Sequence, residues 1–507
     1  MKKVIKKIAL LLIVFGIGVG VTLLYTNNKY KVYEEEETKQ IKKHVDTISM
    51  MLETEAGSGN YEMTTRSEWP TEGYVFNATL SKCENGGELS WDDTNKRVVM
   101  SGNVSDKCYV YFDVYVPPTV VSDVCNGGET LSTCITTLSQ NSTSSYTNIY
   151  HHTSTLTNGA GDNSYRYAGG DYVLTEAGKA TGATMMIGYN NTVTTALIDF
   201  YCNGTKQYVG YVCDASQAHY YLIKGDTTQY QTYKETLNKA VEKGYLTKDN
   251  VKNFVCFGST ASPCPTDNLY RIIGVFGNNV KLIKYDYANS NLLGTNGDYS
   301  TSTYTKSSIS SYKGNLTTIN RYYWNNSTQK NTWSESNLNK VNLNANFITN
   351  IGAEWAQKIA TTTWKVGGNT YANIIDVVPA TAYQNEIVNP VTTNTTDNKT
   401  EYTAKIGLMY VSDYGFAAEP SAWTLIMNRY NNTIATSTNW MYMGLEEWTI
   451  SRTAADSNYA FYVYYTGGVS YGRNMDFYDP VRPVFYLESS ITYKSGSGTQ
   501  SDPILIN

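Results

Sequence analysis

The stretch that decides the fold is LYRIIGVFGNNVKLIKY, residues 269–285. Two apolar runs rich in β-branched residues flank the tripeptide Gly-Asn-Asn at 277–279, a combination typical of a tight turn between paired strands. The sequence therefore predicts a β-hairpin here. This hairpin opens the last block of the chain, residues 266–507, which contains neither cysteine nor histidine.

The composition of the 507 residues excludes some classes of function. Charged residues make up only 17% of the chain, whereas tyrosine occurs 45 times, so neutral polar groups must keep the surface soluble. The net charge is -5 and the lysines are scattered along the chain. Because nucleic-acid binding needs a basic stripe or patch, we expect no nucleic-acid partner.

An apolar run near the N-terminus predicts a membrane anchor. Residues 8–25 hold 18 uncharged residues, close to the roughly 20 that cross a bilayer core. Lys2, Lys3, Lys6 and Lys7 precede the run, and the positive-inside rule then places the N-terminus in the cytoplasm. We expect a single-pass protein of the cell membrane with the bulk of its chain extracellular. A cleaved signal peptide is the alternative.

The eight cysteines fall into neighbouring pairs, which predicts sequential disulfides and an oxidising compartment. Free buried thiols are the alternative. Zinc is disfavoured because the chain has no C-x-x-C motif and only four histidines, so we expect no metal. The predicted pairs are Cys83–Cys108, Cys125–Cys134, Cys202–Cys213 and Cys256–Cys264.

The segment after the apolar run has a helical pattern. Ile41, Val45, Ile48 and Leu52 follow one another at spacings of four, three and four within residues 34–55. Such spacing forms one narrow apolar stripe on a helix. We therefore expect a helical stalk that packs on the next domain or pairs weakly with a neighbour.

These patterns divide the chain into five parts and predict the α+β class. Helices are expected at the N-terminus and near residues 228–243, 336–349 and 353–361, and short strands within residues 60–116 and 266–507. The expected parts are a cytoplasmic tip with a transmembrane signal anchor (1–30), a helical stalk (31–56), a small antiparallel β domain (57–118), an irregular disulfide-containing subdomain or insertion (119–265) and a final domain (266–507).

An ordered series of motifs in the last block carries a family resemblance. The motifs are WSESNL at 333–338, Leu-Asn at 343–344, EWTISR at 447–452, GGV at 467–469, VRPVFYL at 481–487 and the tail GSGTQSDPI at 496–504. Together they resemble bacterial surface domains related to formylglycine-generating enzyme. This resemblance implies a C-type-lectin-like α+β fold with many short strands for residues 266–507.

Two residues of these motifs have an expected structural role. Trp448 lies in an alternating strand and should fill the core where short strands converge. Arg482 should be semi-buried, with its guanidinium satisfied by backbone carbonyls or by an acid. Glu446 and Glu447 adjoin on one strand and so point to opposite faces, which argues against an acid/base pair.

We expect no enzymatic activity and no cofactor. The enzymatic branch of the resembling family uses cysteine chemistry with a metal, and this chain has no cysteine after Cys264. The same block lacks histidine, the commonest general base.

A tyrosine-rich stretch before the Val-Arg-Pro strand is the candidate recognition loop. Tyrosine supplies amphipathic contact area at low entropy cost, and the resemblance implies that this segment forms an exposed recognition face. The alternative is that several of these tyrosines belong to the core. The candidate ligand-binding residues are Tyr464, Tyr465, Tyr471, Arg473, Asp476 and Tyr478.

The sequence therefore predicts a membrane-anchored extracellular ligand-binding or adhesion protein without catalysis. Its membrane contact is through residues 8–25, and its ligand is an unknown carbohydrate or protein. The alternative is a pilin-like structural subunit that assembles through its N-terminal helix. Such subunits carry a Glu inside the apolar run, and this run has no acid.

Overall fold

The structure is a computed structural model in which the chain divides into two compact units, one ending at Val116 and the other running from Pro117 to Asn507. Each unit is considered by itself. The structure describes residues 45–70, 73–102, 106–170, 172–174, 198–206, 219–223, 239–240, 242–243, 245–248, 251–309, 312–390, 400–431, 438–454 and 456–507.

The first unit is built on one mixed sheet. Its strands lie in the order Tyr61–Met63, Val45–Glu53, Asp106–Val114, Tyr74–Phe76, and Lys82–Cys83 also pairs with Asp106–Val114. Val45–Glu53 and Asp106–Val114 run parallel, and the other pairs are antiparallel. A separate hairpin joins Glu88–Asp92 to Arg97–Ser101.

The helical stalk predicted for residues 31–56 is wrong over its described part, because Val45–Glu53 is a strand. In the parallel pairing Ile48, Met50 and Leu52 lie opposite Cys108, Val110 and Phe112. Ile48 and Leu52 satisfy a helical spacing, but Ile48, Met50 and Leu52 also alternate as a strand requires. Long-range pairing with Asp106–Val114 selects the strand.

The second unit is organised around the hairpin predicted from residues 269–285. Leu269–Phe276 and Asn279–Lys284 pair antiparallel, and nearly all of their side chains are buried. Such burial on both faces fits their continuous apolar sequence. The hairpin lies inside a sheet with the order Ile406–Gly407, Val484–Tyr486, Asn279–Lys284, Leu269–Phe276, Tyr165–Tyr167, Ile149–His151, and Phe254–Cys256 also pairs with Leu269–Phe276.

Further sheets carry the remaining strands of this unit. Two of them matter for the candidate site. The first has four strands in the order Gly368–Asn369, Glu447–Thr453, Tyr459–Val463, Val469–Asn474. The second has three strands in the order Tyr299–Thr305, Thr318–Tyr323, Tyr478–Asp479. The others pair Tyr172–Leu174 with Leu246–Lys248, Ile198–Cys202 with Thr205–Lys206 and His219–Ile223, Thr362–Lys365 with Glu401–Ala404, and Tyr493–Ser495 with Leu505–Ile506.

The helices of the described ranges are short. The α-helices are Leu131–Gln140, Ser144–Thr147, Ser290–Leu293, Ile348–Asn350, Ala353–Gln357, Tyr371–Ile374, Pro379–Tyr383 and Val411–Phe416. The π-helices are Leu338–Phe347 and Gln384–Val388. The 3-10 helices are Val121–Asp123, Thr266–Asn268, Lys306–Ser308, Pro420–Thr424 and Met427–Asn431.

One helix escaped the sequence analysis. In Leu131–Gln140 the Thr130 side chain accepts a hydrogen bond from the Thr133 amide, which caps the helix. Leu131, Ile135 and Leu138 are buried on one face. The serine- and threonine-rich composition of the segment obscured this stripe.

The predicted α+β class with a C-type-lectin-like domain is wrong. The structure is mostly sheet, with few helices and a helical share of 21%. The helix expected at residues 336–349 is present as Leu338–Phe347 and Ile348–Asn350, but it is a π-helix continued by one α turn.

The predicted single-pass localisation also needs correction. Within the described ranges, which begin at residue 45, no helix has the length and apolarity needed to cross a membrane. The predicted anchor at residues 8–25 lies outside the described residues.

Three of the predicted disulfides are present in the described part of the chain. They join Cys83 to Cys108, Cys125 to Cys134, and Cys256 to Cys264. The fourth predicted pair includes Cys213, which lies outside the described residues. The oxidised cysteines are consistent with folding in an oxidising compartment.

A buried carboxyl stands at the start of the helix Val411–Phe416. Glu386 is 2% exposed. It accepts hydrogen bonds from the Val411 and Ser412 amides and from the Ser451 hydroxyl. Burial nevertheless raises the pKa of this carboxyl to about 7, because removing the charged form from water outweighs these bonds.

Glu386→Gln should flatten the pH dependence of folding stability. The raised pKa means that between pH 4.5 and about 7 the folded state holds a proton that the unfolded state has lost. Stability is therefore greatest below this window and falls as pH rises through it, by about 3 kcal/mol at most. Urea unfolding across this window measures the effect. The exposed Glu354→Gln is the control, and an unchanged slope in the Glu386 variant would contradict the assignment.

Candidate ligand-binding surface

The strand Val469–Asn474 lies at the end of its sheet and pairs with Tyr459–Val463. Tyr471 on this strand is 48% exposed. Its ring centroid lies 4.0 Å from that of Tyr371, edge to face. The strand therefore presents a large aromatic side chain to solvent, supported from the side by a second ring.

Arg473 fixes the following turn. Its Nε and Nη2 donate to the two carboxylate oxygens of Asp479, at 2.8 and 3.0 Å. Nη2 also lies 3.6 Å from Oε1 of Glu446. The guanidinium packs over the rings of Tyr462 and Phe477, with its Cζ at 4.8 and 5.0 Å from their centroids. Asp479 is buried, so this bidentate pair is shielded from water.

A second arginine reaches the same acid from the strand Thr318–Tyr323, which pairs with Tyr478–Asp479. Arg321 lies 4.0 Å from Asp479, and its Nε donates to the Tyr478 carbonyl at 3.0 Å. Its Cζ lies 4.0 Å from the ring centroid of Tyr304 and 4.3 Å from that of Tyr478. The Tyr304 hydroxyl in turn donates to Glu446 at 3.4 Å.

The turn between the strands Val469–Asn474 and Tyr478–Asp479 exposes one more aromatic ring. Phe477 is 50% exposed, and Asp476 beside it is also exposed. The chain returns to the sheet through Tyr478, whose ring meets that of Tyr323 at 5.2 Å. We call the set Tyr471, Phe477, Tyr478, Tyr323 and Tyr371 the aromatic surface.

The other two candidate tyrosines lie at the preceding turn. Tyr464 and Tyr465 are partly buried, and their ring centroids are 4.1 Å apart. The Tyr464 amide donates to the Gly468 carbonyl, and the Tyr465 carbonyl accepts from the Tyr442 hydroxyl at 2.5 Å. Tyr464 packs against the main core. This agrees with the alternative in which several of these tyrosines belong to the core.

Six residues were chosen from the sequence, and the structure brings only some of them together. Arg473 and Tyr478 belong to one cluster, and Tyr471 and Asp476 are exposed nearby in the chain. Sequence analysis missed Arg321 and Tyr371, which arrive from distant segments with no local signal. Phe477 lies inside the tyrosine-rich stretch before the Val-Arg-Pro strand, between the chosen residues Asp476 and Tyr478, and that position was the available signal.

Trp448 and Arg482 are both fully within the core. Trp448 is 0% exposed, and its indole donates to the Tyr322 carbonyl at 2.9 Å. Arg482 donates to both oxygens of Glu447, at 2.7 and 2.8 Å, and to the Met441 carbonyl. Glu447 therefore pairs with Arg482, whereas Glu446 pairs with Arg473.

The cluster around Arg473 suits binding better than proton transfer. Burial raises the pKa of the Glu446 carboxyl, and the charge of Asp479 adds to this shift. Asp479 is already committed to two arginines, so it is poorly placed as a free base. Clusters of possible metal ligands among the described residues contain the disulfide cysteines Cys83 and Cys108 or Cys125 and Cys134, whose sulfurs are already bonded.

Comparisons of the chain with protein-family models, with curated proteins and with solved structures find no match. The resemblance to domains related to formylglycine-generating enzyme therefore stays a prediction. Function has to be argued from the geometry of the surface itself.

Asp479→Asn should destabilise the second unit. The substitution removes the charge that Arg473 and Arg321 share, and breaking such a buried pair costs about 3 kcal/mol. Asp476→Asn is the matched control, since an exposed acid three residues away should change stability by less than about 0.5 kcal/mol. Equilibrium urea unfolding compares the two. Equal effects would show that the ion pair does not hold this turn.

Proposed function

We propose that the unit Pro117–Asn507 is a binding module without catalysis, and that it engages a carbohydrate through the aromatic surface. The observation that carries the proposal is the pair of exposed rings, Tyr471 and Phe477, on a strand and turn held by a buried ion pair. Exposed rings fixed in this way bind with little loss of side-chain entropy.

The charges beside these rings favour an uncharged ligand. Arg473 and Arg321 both face Asp479, and Arg473 also faces Glu446. The two positive and two negative groups neutralise one another within the protein. A ligand that relied on charge would have to break these pairs, whereas a neutral ligand leaves them intact.

A sugar ring meets the remaining requirements. One face of a pyranose presents C–H groups that pack on the electron-rich face of an aromatic ring. Its hydroxyl groups bond to polar atoms at the rim, such as the Tyr471 and Tyr478 hydroxyls.

Replacing Tyr471 or Phe477 by alanine should weaken glycan binding by about fivefold or more, because a central aromatic contact typically contributes over 1 kcal/mol. A glycan array first identifies a ligand for the purified chain, and titration calorimetry then compares the variants. Tyr146→Ala is the matched control, since Tyr146 is 53% exposed but lies outside this surface.

Two results would contradict the proposal. One is a glycan that binds wild type and both alanine variants equally. The other is an array without binding, together with a protein ligand whose affinity depends on Tyr471. Circular dichroism of each variant checks that the fold is retained.

A further inference from the structure

A lysine and an aspartate meet in the core at the centre of the second unit. Lys281 lies on the strand Asn279–Lys284, and Asp413 lies on the helix Val411–Phe416. The Lys281 Nζ is 2.5 Å from Asp413 Oδ2, and both side chains are 1% exposed. The two residues are 132 positions apart in the sequence.

Aromatic rings enclose the lysine amine. Its Nζ lies 4.7 Å from the ring centroid of Tyr410, 5.4 Å from Tyr486, 5.5 Å from Phe276 and 5.7 Å from Trp364. This enclosure excludes water from the amine. Burial lowers the pKa of the Lys281 ammonium, although Asp413 opposes the shift. The ammonium therefore loses its proton more readily here than in water, and the neutral amine is the nucleophilic form.

Neighbouring groups orient the aspartate. The Tyr410 amide donates to Asp413 Oδ2 at 3.0 Å, and Arg166 Nη1 lies 3.8 Å from Oδ1. The Arg166 guanidinium is itself held by Asp162 at 2.6 Å. Glu386 holds the amides just before Asp413 in the helix. The carboxyl carbon, one bond beyond Oδ2, therefore stays within reach of the amine.

We propose that Lys281 and Asp413 condense into an intramolecular amide bond between the side chains. Proton transfer within the contact frees the Nζ electron pair, Nζ attacks Cγ and a C–N bond forms, and a C–O bond of the carboxyl breaks. That oxygen leaves as water with two protons that came from the Lys281 ammonium. No oxidant, reductant or other reactant is consumed. Arg166 stabilises negative charge that develops on Oδ1.

Two physical arguments favour this bond over a plain ion pair. Holding the reacting groups in contact replaces a bimolecular encounter, which lowers the barrier of well-oriented intramolecular reactions. Burying two charges is costly even when they pair. Condensation removes both charges and releases the water from a site that excludes it.

The bond is tested by peptide mass spectrometry of the full chain after reduction and alkylation of its cysteines. Trypsin should leave Lys281 uncleaved, in a branched peptide that joins residues 272–284 to residues 406–429. Its mass is lower by one water than the sum of the two peptides. Fragmentation should place the branch at Lys281 and Asp413.

The wild-type protein alone decides the result, so the test does not depend on a variant that folds. Complete cleavage after Lys281 with two separate peptides would overturn the proposal. The branched peptide should vanish in Lys281→Met and Asp413→Ala. It should persist in Lys284→Arg, a control at a second buried lysine, whose Nζ bonds the Asp267 carbonyl.

Discussion

The contact between Lys281 and Asp413 is the constraint on which the second unit depends. It joins a strand inside the main sheet to the helix Val411–Phe416, and neither charge is exposed to solvent. Before the proposed condensation both groups can carry charge, and leaving either one unpaired at this depth would cost several kcal/mol. The sheet and the helix therefore have to assemble in one arrangement, which also sets the positions of Arg166 and Glu386.

Other buried charges of the second unit are also paired with a charge of opposite sign. The chain has few charged residues, and many of those in its interior meet a partner of opposite sign. Arg482 pairs with Glu447 in the core, and Arg473 pairs with Asp479 beneath the aromatic surface. These pairs fix strand and turn geometry, while tyrosine and neutral polar residues supply the exterior.

Sequence patterns predicted local structure well where one periodicity dominated. The hairpin at residues 269–285 is present within a residue of its expected bounds, because continuous apolar runs and a Gly-Asn-Asn turn allow few alternatives. Val45–Glu53 was mistaken for helix, since its apolar residues fit both periods. In the candidate site, Tyr471 and Arg473 were found from composition, but Arg321 and Tyr371 were not, because no local pattern links them to that loop.

The amino-acid sequence by itself determined the central hairpin, the sequential disulfides at three cysteine pairs and the scarcity of charge. These features depend on neighbours along the chain. Only the tertiary structure decided that Val45–Glu53 is a strand, that Tyr464 packs inward while Tyr471 faces solvent, and that Lys281 meets Asp413. These features depend on which distant segments pair and on which side chains then lose contact with water. Local periodicity in the sequence predicts neither of these.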